Sequence, residues 1–269
     1  QFENRYFAAH RLDIHLSDRL RLGFFESAIF GGPGRQVELY YLNPILFYHA
    51  SQLNDGVDDN TFLGFDFSLK PGRGIKLYGQ VVVDDFQIDD KVQSDQEPNE
   101  VALLAGGYAA DVVVGCDVQA EYTRVTNRTF NQSNPRNRYT FKGELIGSAD
   151  GNDYDFLDLR LFRWFSPEMR AGLQLSHRRQ GEGRVTADWD TPWMDIEGEY
   201  DEPFPTGVVE KTTTVAAGFT GFLLDHLFVD ASFGVDWVRN RAHVGGSDQT
   251  APFVYLRLSS FMSSVFSVE

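Results

Sequence analysis

Polar and charged side chains recur at every second position along several segments of this chain, where they could line a common interior. The set comprises Arg11, Asp13, His15, Asp66, Tyr78, Gln80, Asp84, Asp117, Gln119, Glu121, Asp158, Arg160, Gln174, Asp230, Asp236, Tyr255 and Arg257. Both signs of charge occur. One interpretation is a network of ion pairs and hydrogen bonds that fills the interior, because an unpaired buried charge would cost several kcal/mol. The alternative is an aqueous pore with a charged ring that favours cations.

A second group places aromatic rings beside carboxylates. Trp189, Trp193 and Tyr200 lie in an acidic stretch that begins at Asp188 and extends to Glu202. Aromatic faces stack on sugar rings, and carboxylates accept hydrogen bonds from hydroxyl groups. Asp188, Trp189, Trp193 and Tyr200 are therefore candidates for glycan binding. The same composition suits a loop that folds over the mouth of a barrel or meets the lipid headgroups.

A third candidate is the run around a proline and a histidine. Asn43 and Pro44 precede Phe47, Tyr48 and His49. We expect this segment to be an inward-folded loop that constricts the interior and is anchored by its aromatic side chains. His49 has no Ser or Cys partner at a recognisable motif spacing, so the run does not indicate catalysis.

Motifs of the common enzyme and metal-binding classes are absent from the sequence. It contains no nucleophile elbow, no His-Glu-x-x-His zinc motif and no Gly-rich phosphate loop. The oxygen-rich runs 54–60 and 150–155 do not have the spacing of an EF-hand, so they are interpreted as solvated turns in preference to loose divalent-cation sites. We predict no catalytic residue, no metal site and no cofactor.

The elements that must position these side chains are β-strands. In Asp111–Tyr122 apolar residues alternate with small, polar or charged ones, and a two-residue period places the two sets on opposite faces of one strand. We predict a strand there, preceded by a tight turn at 108–111. Similar alternation along the chain brings the predicted total to eleven strands.

The connections between these strands alternate in length. Tight turns are predicted at 17–19, 70–74, 108–111, 165–168 and 222–225, and long connections at 31–60, 86–99, 123–154, 179–207 and 239–250. Short turns at one rim and long loops at the other are typical of a bacterial transmembrane β-barrel. The fold is thus predicted to be all-β, an antiparallel transmembrane β-barrel of the bacterial outer membrane.

Five tight turns at one rim mean that the first and last predicted strands both end at that rim. An even-numbered antiparallel barrel then needs at least twelve strands. We expect the chain either to be the C-terminal part of a longer barrel that lacks N-terminal strands here, or to pair with something else. Residues 1–269 are predicted to form a single barrel domain.

The composition agrees with this class of protein. The chain has 269 residues, 42% hydrophobic and 14% aromatic, with a net charge of −15. Half of each barrel strand faces the lumen, so no run of about 18 apolar residues is needed to cross a membrane. The acidic balance argues against nucleic acid as a partner, because a phosphate backbone requires basic residues.

Several runs resemble the Wzi-type capsule-assembly family of outer-membrane barrels. They are Arg5–Leu12, Val37–His49, Leu63–Asp66, Lys76–Gly79, Glu121–Arg124 and Tyr139-Thr140. The family's glycine-proline-aspartate segment after the last of these is not matched, since residues 146–151 read Ile-Gly-Ser-Ala-Asp-Gly. The resemblance implies a monomeric surface lectin that helps to retain capsular polysaccharide, often with a periplasmic helical portion ahead of the barrel.

We therefore expect a non-enzymatic outer-membrane β-barrel that takes part in capsule assembly and binds polysaccharide at the cell surface. The alternatives are a porin-like channel for small polar solutes and a structural subunit of a cell-envelope assembly. The expected partners are outer-membrane lipid and lipopolysaccharide, capsular or surface polysaccharide, and other envelope proteins.

Overall fold

The computed structural model describes residues 4–55, 58–86, 96–224 and 226–260. Within these ranges, eleven strands form one antiparallel sheet in which each strand pairs with its neighbours in chain order. They are β1 (Asn4–His15), β2 (Leu20–Gly32), β3 (Asn60–Gly72), β4 (Ile75–Asp85), β5 (Glu100–Val113), β6 (Cys116–Val125), β9 (Tyr154–Ser166), β10 (Met169–Gln180), β11 (Glu210–Leu224), β12 (Leu227–Arg239) and β13 (Gln249–Ser260). The prediction of eleven antiparallel strands is confirmed.

Helical structure in the described ranges is short. It consists of one α-helix, α1 (Tyr48–Asp55), and 3-10 segments at Leu39–Leu42, Pro135–Asn137, Pro192–Asp195 and Arg241–His243. A separate hairpin of two short strands, β7 (Thr140–Phe141) and β8 (Glu144–Leu145), lies in the connection after β6. No helix in the described part of the chain is long and apolar enough to span a membrane.

The strand registers separate the side chains into two faces, because directly paired residues of antiparallel strands point to the same side. Leu12 pairs with Phe24, which pairs with Phe65. We call this side the apolar face; it also carries Leu161, Leu173, Leu175 and Phe233. Asp13 and Asp66 both pair with Gly23, and Asp66 pairs with Gln80. We call the side that carries Asp66 the polar face.

The hairpin between β5 and β6 differs from the prediction. The turn is Val114-Gly115, and Asp111–Val113 ends β5 instead of beginning the next strand. The Asp111 N–H donates to Asp117 Oδ1 (3.0 Å), and the Gly115 N–H donates to Asp111 Oδ1 (2.9 Å). These bonds extend the hairpin past 108–111, and Gly115 has a φ of +72°, which glycine adopts without steric penalty. The turns predicted at 17–19, 70–74 and 165–168 lie at or next to those positions, and residue 225 of the turn predicted at 222–225 lies outside the described residues.

Long connections at the opposite edge of the sheet pack on both of its faces. Residues 126–153 cover the polar face, where Phe130 joins a buried cluster with Phe62 and Val125. Residues 33–55 pack on the apolar face, where Tyr41 joins a buried cluster with Phe30. Residues 87–95 of the predicted connection 86–99, and residues 56–57 of the first oxygen-rich run, lie outside the described residues.

The two edge strands run in the same direction. β1 leads into the first tight turn, and β13 comes down from a long connection, so both end at the tight-turn edge. No pairing joins β1 to β13 among the described residues.

Candidate functional site

On β1, β2 and β3, the polar face carries a network of charged side chains. Arg11 Nη1 lies 2.6 Å from Asp66 Oδ2 and Arg11 Nη2 lies 2.9 Å from Asp13 Oδ1, while Arg21 Nη2 lies 2.6 Å from the same Asp13 oxygen. Gly23 sits between these groups, and a Cβ there would come within 2.1 Å of Arg11 Nη2. Because residue 23 is a glycine, the Arg11 guanidinium has the space to reach across β2 to Asp66.

Hydroxyl and indole donors reach carboxylates in the middle of the sheet. The Tyr78 hydroxyl donates to Glu121 Oε2 (2.7 Å) across β5. Asp117 accepts a hydrogen bond from the Tyr108 hydroxyl and another from Trp164 Nε1 (2.8 Å). Each of these carboxylates is satisfied by a neutral donor, as a hydrogen-bonded interior requires.

The same pattern continues toward β13. Gln174 Nε2 donates to Asp158 Oδ1 (2.7 Å), and Arg160 Nε lies 2.6 Å from the other Asp158 oxygen. The Thr220 hydroxyl lies 3.2 Å from Asp230 Oδ1. On these strands the carboxylates of the polar face are therefore matched to donors.

The registers place the remaining predicted lining residues on this face as well. His15 pairs with Arg21, Gln119 with Arg160, Tyr255 with Ser232 and Arg257 with Asp230. Asp236 pairs with Thr214, whose hydroxyl donates to Asp236 Oδ1 (2.6 Å), and buried Asp84 accepts a hydrogen bond from the Phe130 N–H (2.6 Å). That this face lines a lumen stays a prediction.

The run expected to constrict the interior packs on the opposite face. The Tyr48 ring lies 4.3 Å from the ring of His10, which pairs with Glu26 on the apolar face. Glu26 Oε2 accepts the Tyr48 N–H (3.0 Å), and His49 Nδ1 lies 3.0 Å from the Thr61 hydroxyl. The first N–H groups of a helix need acceptors, and the Glu26 carboxylate supplies one on this side of the sheet. Asn43, Pro44 and Phe47 are exposed.

A different segment covers the polar face. The Tyr139 ring lies 4.4 Å from Phe62 and 5.5 Å from Phe130, and its hydroxyl lies 3.3 Å from Ser27 Oγ. These contacts hold part of the connection 126–153 against β2 and β3 at the long-connection edge of the sheet. The alternation of residues in the strands carries no information about which connection folds over which face.

A cleft of about 460 Å³ opens at the long-connection edge, between segments 126–153 and 181–209; we call it the rim cleft. It is lined by Asn127, Arg128, Asn131, Glu182, Gly183, Arg184, Ala187, Asp188, Asp190, Pro192, Tyr200, Glu202, Pro203, Thr206 and Gly207. Two of the four glycan candidates, Asp188 and Tyr200, are in this lining. Trp193 is buried, and half-buried Trp189 lies outside the lining.

Arg128 lies at the centre of the wall that segment 126–153 contributes to the rim cleft. Its guanidinium stacks over the Trp193 ring at 4.9 Å, lies 2.7 Å from Asp190 Oδ1 and forms an ion pair with Glu202. The Tyr200 hydroxyl lies 3.3 Å from Glu202 Oε1. Burial and the negative charge of Glu202 raise the pKa of Tyr200, so its hydroxyl keeps its proton at neutral pH.

Asp153 joins the two walls of the cleft. Its fully buried carboxylate accepts the Thr206 N–H (2.9 Å), the Thr206 hydroxyl (2.5 Å) and the Gly183 N–H (2.8 Å). The Gly181 N–H donates to the Asp153 carbonyl (2.8 Å). A Cβ at Gly181 would meet the carboxylate at 2.0 Å, so only glycine permits this approach.

The sequence analysis did not single out Arg128, and it included Asp153 only in an oxygen-rich run and Glu202 only as the end of the acidic stretch. Arg128 and Glu202 are 74 residues apart, and no local pattern links them. The available signal was the pair of glycines at 181 and 183, directly after a predicted strand, which indicates a close approach of another segment.

In the described part of the chain, carboxylates of the oxygen-rich runs accept hydrogen bonds from other residues of the protein. Asp59 pairs with Arg35 and accepts the Tyr41 hydroxyl (2.8 Å), and Asp155 accepts Arg179 Nε (2.9 Å). In the same part of the chain, no three His, Cys, Asp or Glu side chains are grouped so that they could hold a metal ion.

Comparison with known proteins gives one family. The model of the family described as "Capsule assembly protein Wzi" matches residues 1–252. A comparison with curated proteins found no match. Among solved structures, the chain is similar to the outer membrane channel DcaP of Acinetobacter baumannii, with 11% sequence identity and a TM-score of 0.48 over 93% of this chain. The chain spans 61% of the length of that protein.

The family match covers nearly the whole sheet, from β1 into β13. It also includes residues 126–153, which cover the polar face, and the rim cleft. It is the family that the sequence resemblance indicated. The chain belongs to the Wzi family of capsule assembly proteins and is a protein of the bacterial outer membrane.

Proposed function

We propose that this protein is a non-enzymatic barrel of the outer membrane that binds capsular or surface polysaccharide in the rim cleft. The observation that carries the proposal is the family match over residues 1–252. The geometry supports it, because the cleft lies at the edge of long connections, which in outer-membrane barrels face the cell exterior.

The barrel is part of this proposal. The apolar face is exposed at residues such as Leu173 (58%) and Phe233 (64%), as a lipid-facing surface would be. The polar face, with its matched carboxylates, would then face inward. Because β1 and β13 run in the same direction, closing the sheet with antiparallel pairs throughout requires an odd number of additional strands between them.

The chemistry of the rim cleft suits sugar hydroxyl groups. Tyr200 offers a ring and a hydroxyl oxygen that can accept, and the exposed carboxylates of Glu182 and Asp188 offer further acceptors. Hydrogen bonds to charged groups contribute roughly 1.5–3 kcal/mol each. Several such contacts along a chain of sugars give useful affinity without a deep pocket.

The test is binding of polysaccharide from the capsule of the source strain to the purified protein in detergent. We expect Asp188→Ala and Tyr200→Ala each to weaken binding by about fivefold or more, which corresponds to about 1 kcal/mol. Tyr255→Ala, on the polar face of β13, is the matched control and should bind as the wild type does. If both cleft variants bind at wild-type strength while they keep their β-sheet circular dichroism, the proposal for the cleft fails.

A porin-like channel is the second candidate, and one observation favours it. The polar face of β10, β11 and β12 is lined by small side chains, among them Gly172, Gly218 and Ser232, next to a recess of about 250 Å³. Small residues there leave space beside the sheet for solutes. Steady open channels in planar bilayers would support this candidate over a barrel that is filled and closed.

A further inference from the structure

We propose that the rim cleft selects a neutral, hydroxyl-rich stretch of polysaccharide and disfavours a polyanionic one. This inference rests on the proposed function, since it concerns the ligand of the same cleft. It follows from the charges in the lining, from how the cationic side chains are used, and from the exposed acceptors that remain.

The lining is acidic. Four carboxylates, Glu182, Asp188, Asp190 and Glu202, face two guanidinium groups, and the lining contains no lysine. Glu182 and Asp188 are exposed, and the Asp190 side chain is 71% exposed. A carboxylate or phosphate group on a sugar would therefore meet an excess of negative charge at short range, where two like charges repel appreciably even near water.

Contacts within the protein prevent Arg128 from binding an anionic ligand. Its side chain is 4% exposed, it is bound by Asp190 and Glu202, and it stacks on Trp193. Turning it toward a ligand would leave the buried Glu202 carboxylate, 12% exposed, without its partner. Breaking a buried ion pair in this way is strongly unfavourable.

Arg184 is held by the backbone of its own segment. Its Nη1 donates to the carbonyls of Gly181 (2.7 Å) and Gly183 (2.6 Å), and its Nη2 lies 2.7 Å from His243 Nε2. The bidentate arrangement by which arginine usually recognises carboxylate or phosphate needs two parallel N–H groups. Here both Nη1 hydrogens go to carbonyls, so the end-on pair of Nη1 and Nη2 is not offered, and only the edge formed by Nε and Nη2 remains.

The groups that remain for a ligand are acceptors, which suit the donors of sugar hydroxyl groups. Arg128 Nε is buried and has no hydrogen-bond partner among the residues that the structure describes. This N–H is enclosed by the protein and is not offered to a ligand. The Thr206 hydroxyl donates to Asp153 and the Tyr200 hydroxyl to Glu202. The exposed carboxylates of Glu182 and Asp188 can accept from hydroxyl groups. A sugar hydroxyl can donate to these carboxylates, whereas an ionised carboxylate of a ligand only accepts.

The experiment compares two probes, neutral dextran and anionic polygalacturonate, by binding to the full chain in detergent at low salt without divalent cations. We expect dextran to bind at least about tenfold more tightly than polygalacturonate, and high salt to narrow this ratio because it screens the repulsion. The double variant Glu182→Gln/Asp188→Asn keeps the oxygen acceptors but removes two charges. It should strengthen polygalacturonate binding about tenfold.

The matched control is Asp18→Asn/Glu168→Gln, which removes the same two charges at the tight-turn edge and should leave the ratio unchanged. Polygalacturonate binding that equals or exceeds dextran binding, or that is created by Ca²⁺, would overturn the inference while leaving polysaccharide binding at the cleft intact. If neither probe nor the native capsular polysaccharide binds, the proposed function itself fails.

Discussion

Trp193 is one of the side chains predicted to contact a glycan, and the structure places it in the buried packing beside the rim cleft. It is buried beneath the guanidinium of Arg128 and lies 6.4 Å from the ring of Tyr200. Its position explains why Arg128 and Tyr200 have defined orientations in the wall of the rim cleft. The sequence correctly draws attention to an aromatic cluster here, but the cluster's contribution is packing and a cation–π contact.

We expect Trp193→Ala to destabilise the protein by about 3–5 kcal/mol, because truncating a buried aromatic leaves a cavity and removes the surface on which Arg128 stacks. Half-buried Trp189 supplies the matched control, and Trp189→Ala should cost clearly less. Denaturant unfolding in detergent micelles, followed by tryptophan fluorescence, measures both. Equal losses in the two variants would contradict the assignment of Trp193 as the support of the cleft.

Asp153 yields a second residue-scale prediction. Asp153→Ala removes the acceptor for the N–H groups of Gly183 and Thr206, and alanine fits poorly at a φ of +57°. We expect it to cost about 3 kcal/mol or more, whereas Asp153→Asn should cost about half as much, because asparagine keeps one oxygen and tolerates this backbone region.

Limited proteolysis of segment 181–209 reports the effect of these changes. Cleavage there should become fastest in Asp153→Ala and intermediate in Asp153→Asn. Asp150→Ala is the control, because it removes only a half-exposed ion pair with Arg178. Cleavage of Asp150→Ala as fast as that of Asp153→Ala would mean that Asp153 does not tether the walls.

At the scale of the strands, the two faces predict opposite tolerance for charge. Leu173 points to the apolar face and its neighbour Gln174 to the polar face. If the apolar face meets lipid, Leu173→Arg should cost about 2–4 kcal/mol. Gln174→Arg should be tolerated, since arginine can still donate to Asp158. The folded fraction after heating, read from electrophoretic mobility in detergent, distinguishes the two, and equal tolerance would argue against a lipid-facing surface.

The connection between β4 and β5 should make stability depend on pH. Burial, followed by the charge of Asp85, raises the pKa of Glu97 to about 7 from its ordinary value of 4.5. The folded protein therefore holds this proton more tightly than the unfolded chain. The stability that Glu97 contributes to the folded protein is fully present below about pH 4.5 and is lost as the pH rises through about 7.

We accordingly expect Glu97→Gln to raise the unfolding temperature at pH 9 and to change it little at pH 4. Glu97 is partly accessible to solvent, so the difference should be modest. The wild type and the variant share every other titrating group, so the difference between their pH profiles isolates Glu97. A variant that is destabilised equally at both pH values would show that ionisation of Glu97 is not the cause.

At the scale of the whole molecule, residues 126–153, which cover the polar face, would decide in the proposed barrel whether solutes reach that face. Phe130 and Tyr139 hold this segment against Phe62 on the polar face. In the proposed barrel, wild-type protein should show little steady conductance in planar bilayers. Phe130→Ser/Tyr139→Ser should open channels more often, because the aromatic contacts that seat the segment are lost. Phe47→Ser, an exposed residue of the segment on the other face, is the control; a change of conductance there instead would contradict this role.

The sequence by itself determined the number of strands, the alternation of tight and long connections and the residues that share a face. These properties are local, since a period of two follows from the geometry of a single strand. Arg11, Asp66 and Asp230 could therefore be assigned together without knowing what lies across from them. The turn at Val114-Gly115 was misplaced because side-chain hydrogen bonds from Asp111 and Asp117 extend that hairpin beyond its apparent end.

The tertiary structure alone decided which connection covers which face and where the cleft forms. The Glu26 carboxylate draws the Tyr48 segment to the apolar face, and Tyr139 brings residues 126–153 over the polar face. The cleft then depends on partners far apart in the chain, such as Arg128 with Glu202 and Asp153 with Thr206. Contacts of this kind are set by the closure of long loops against a finished sheet, and no short-range periodicity encodes them.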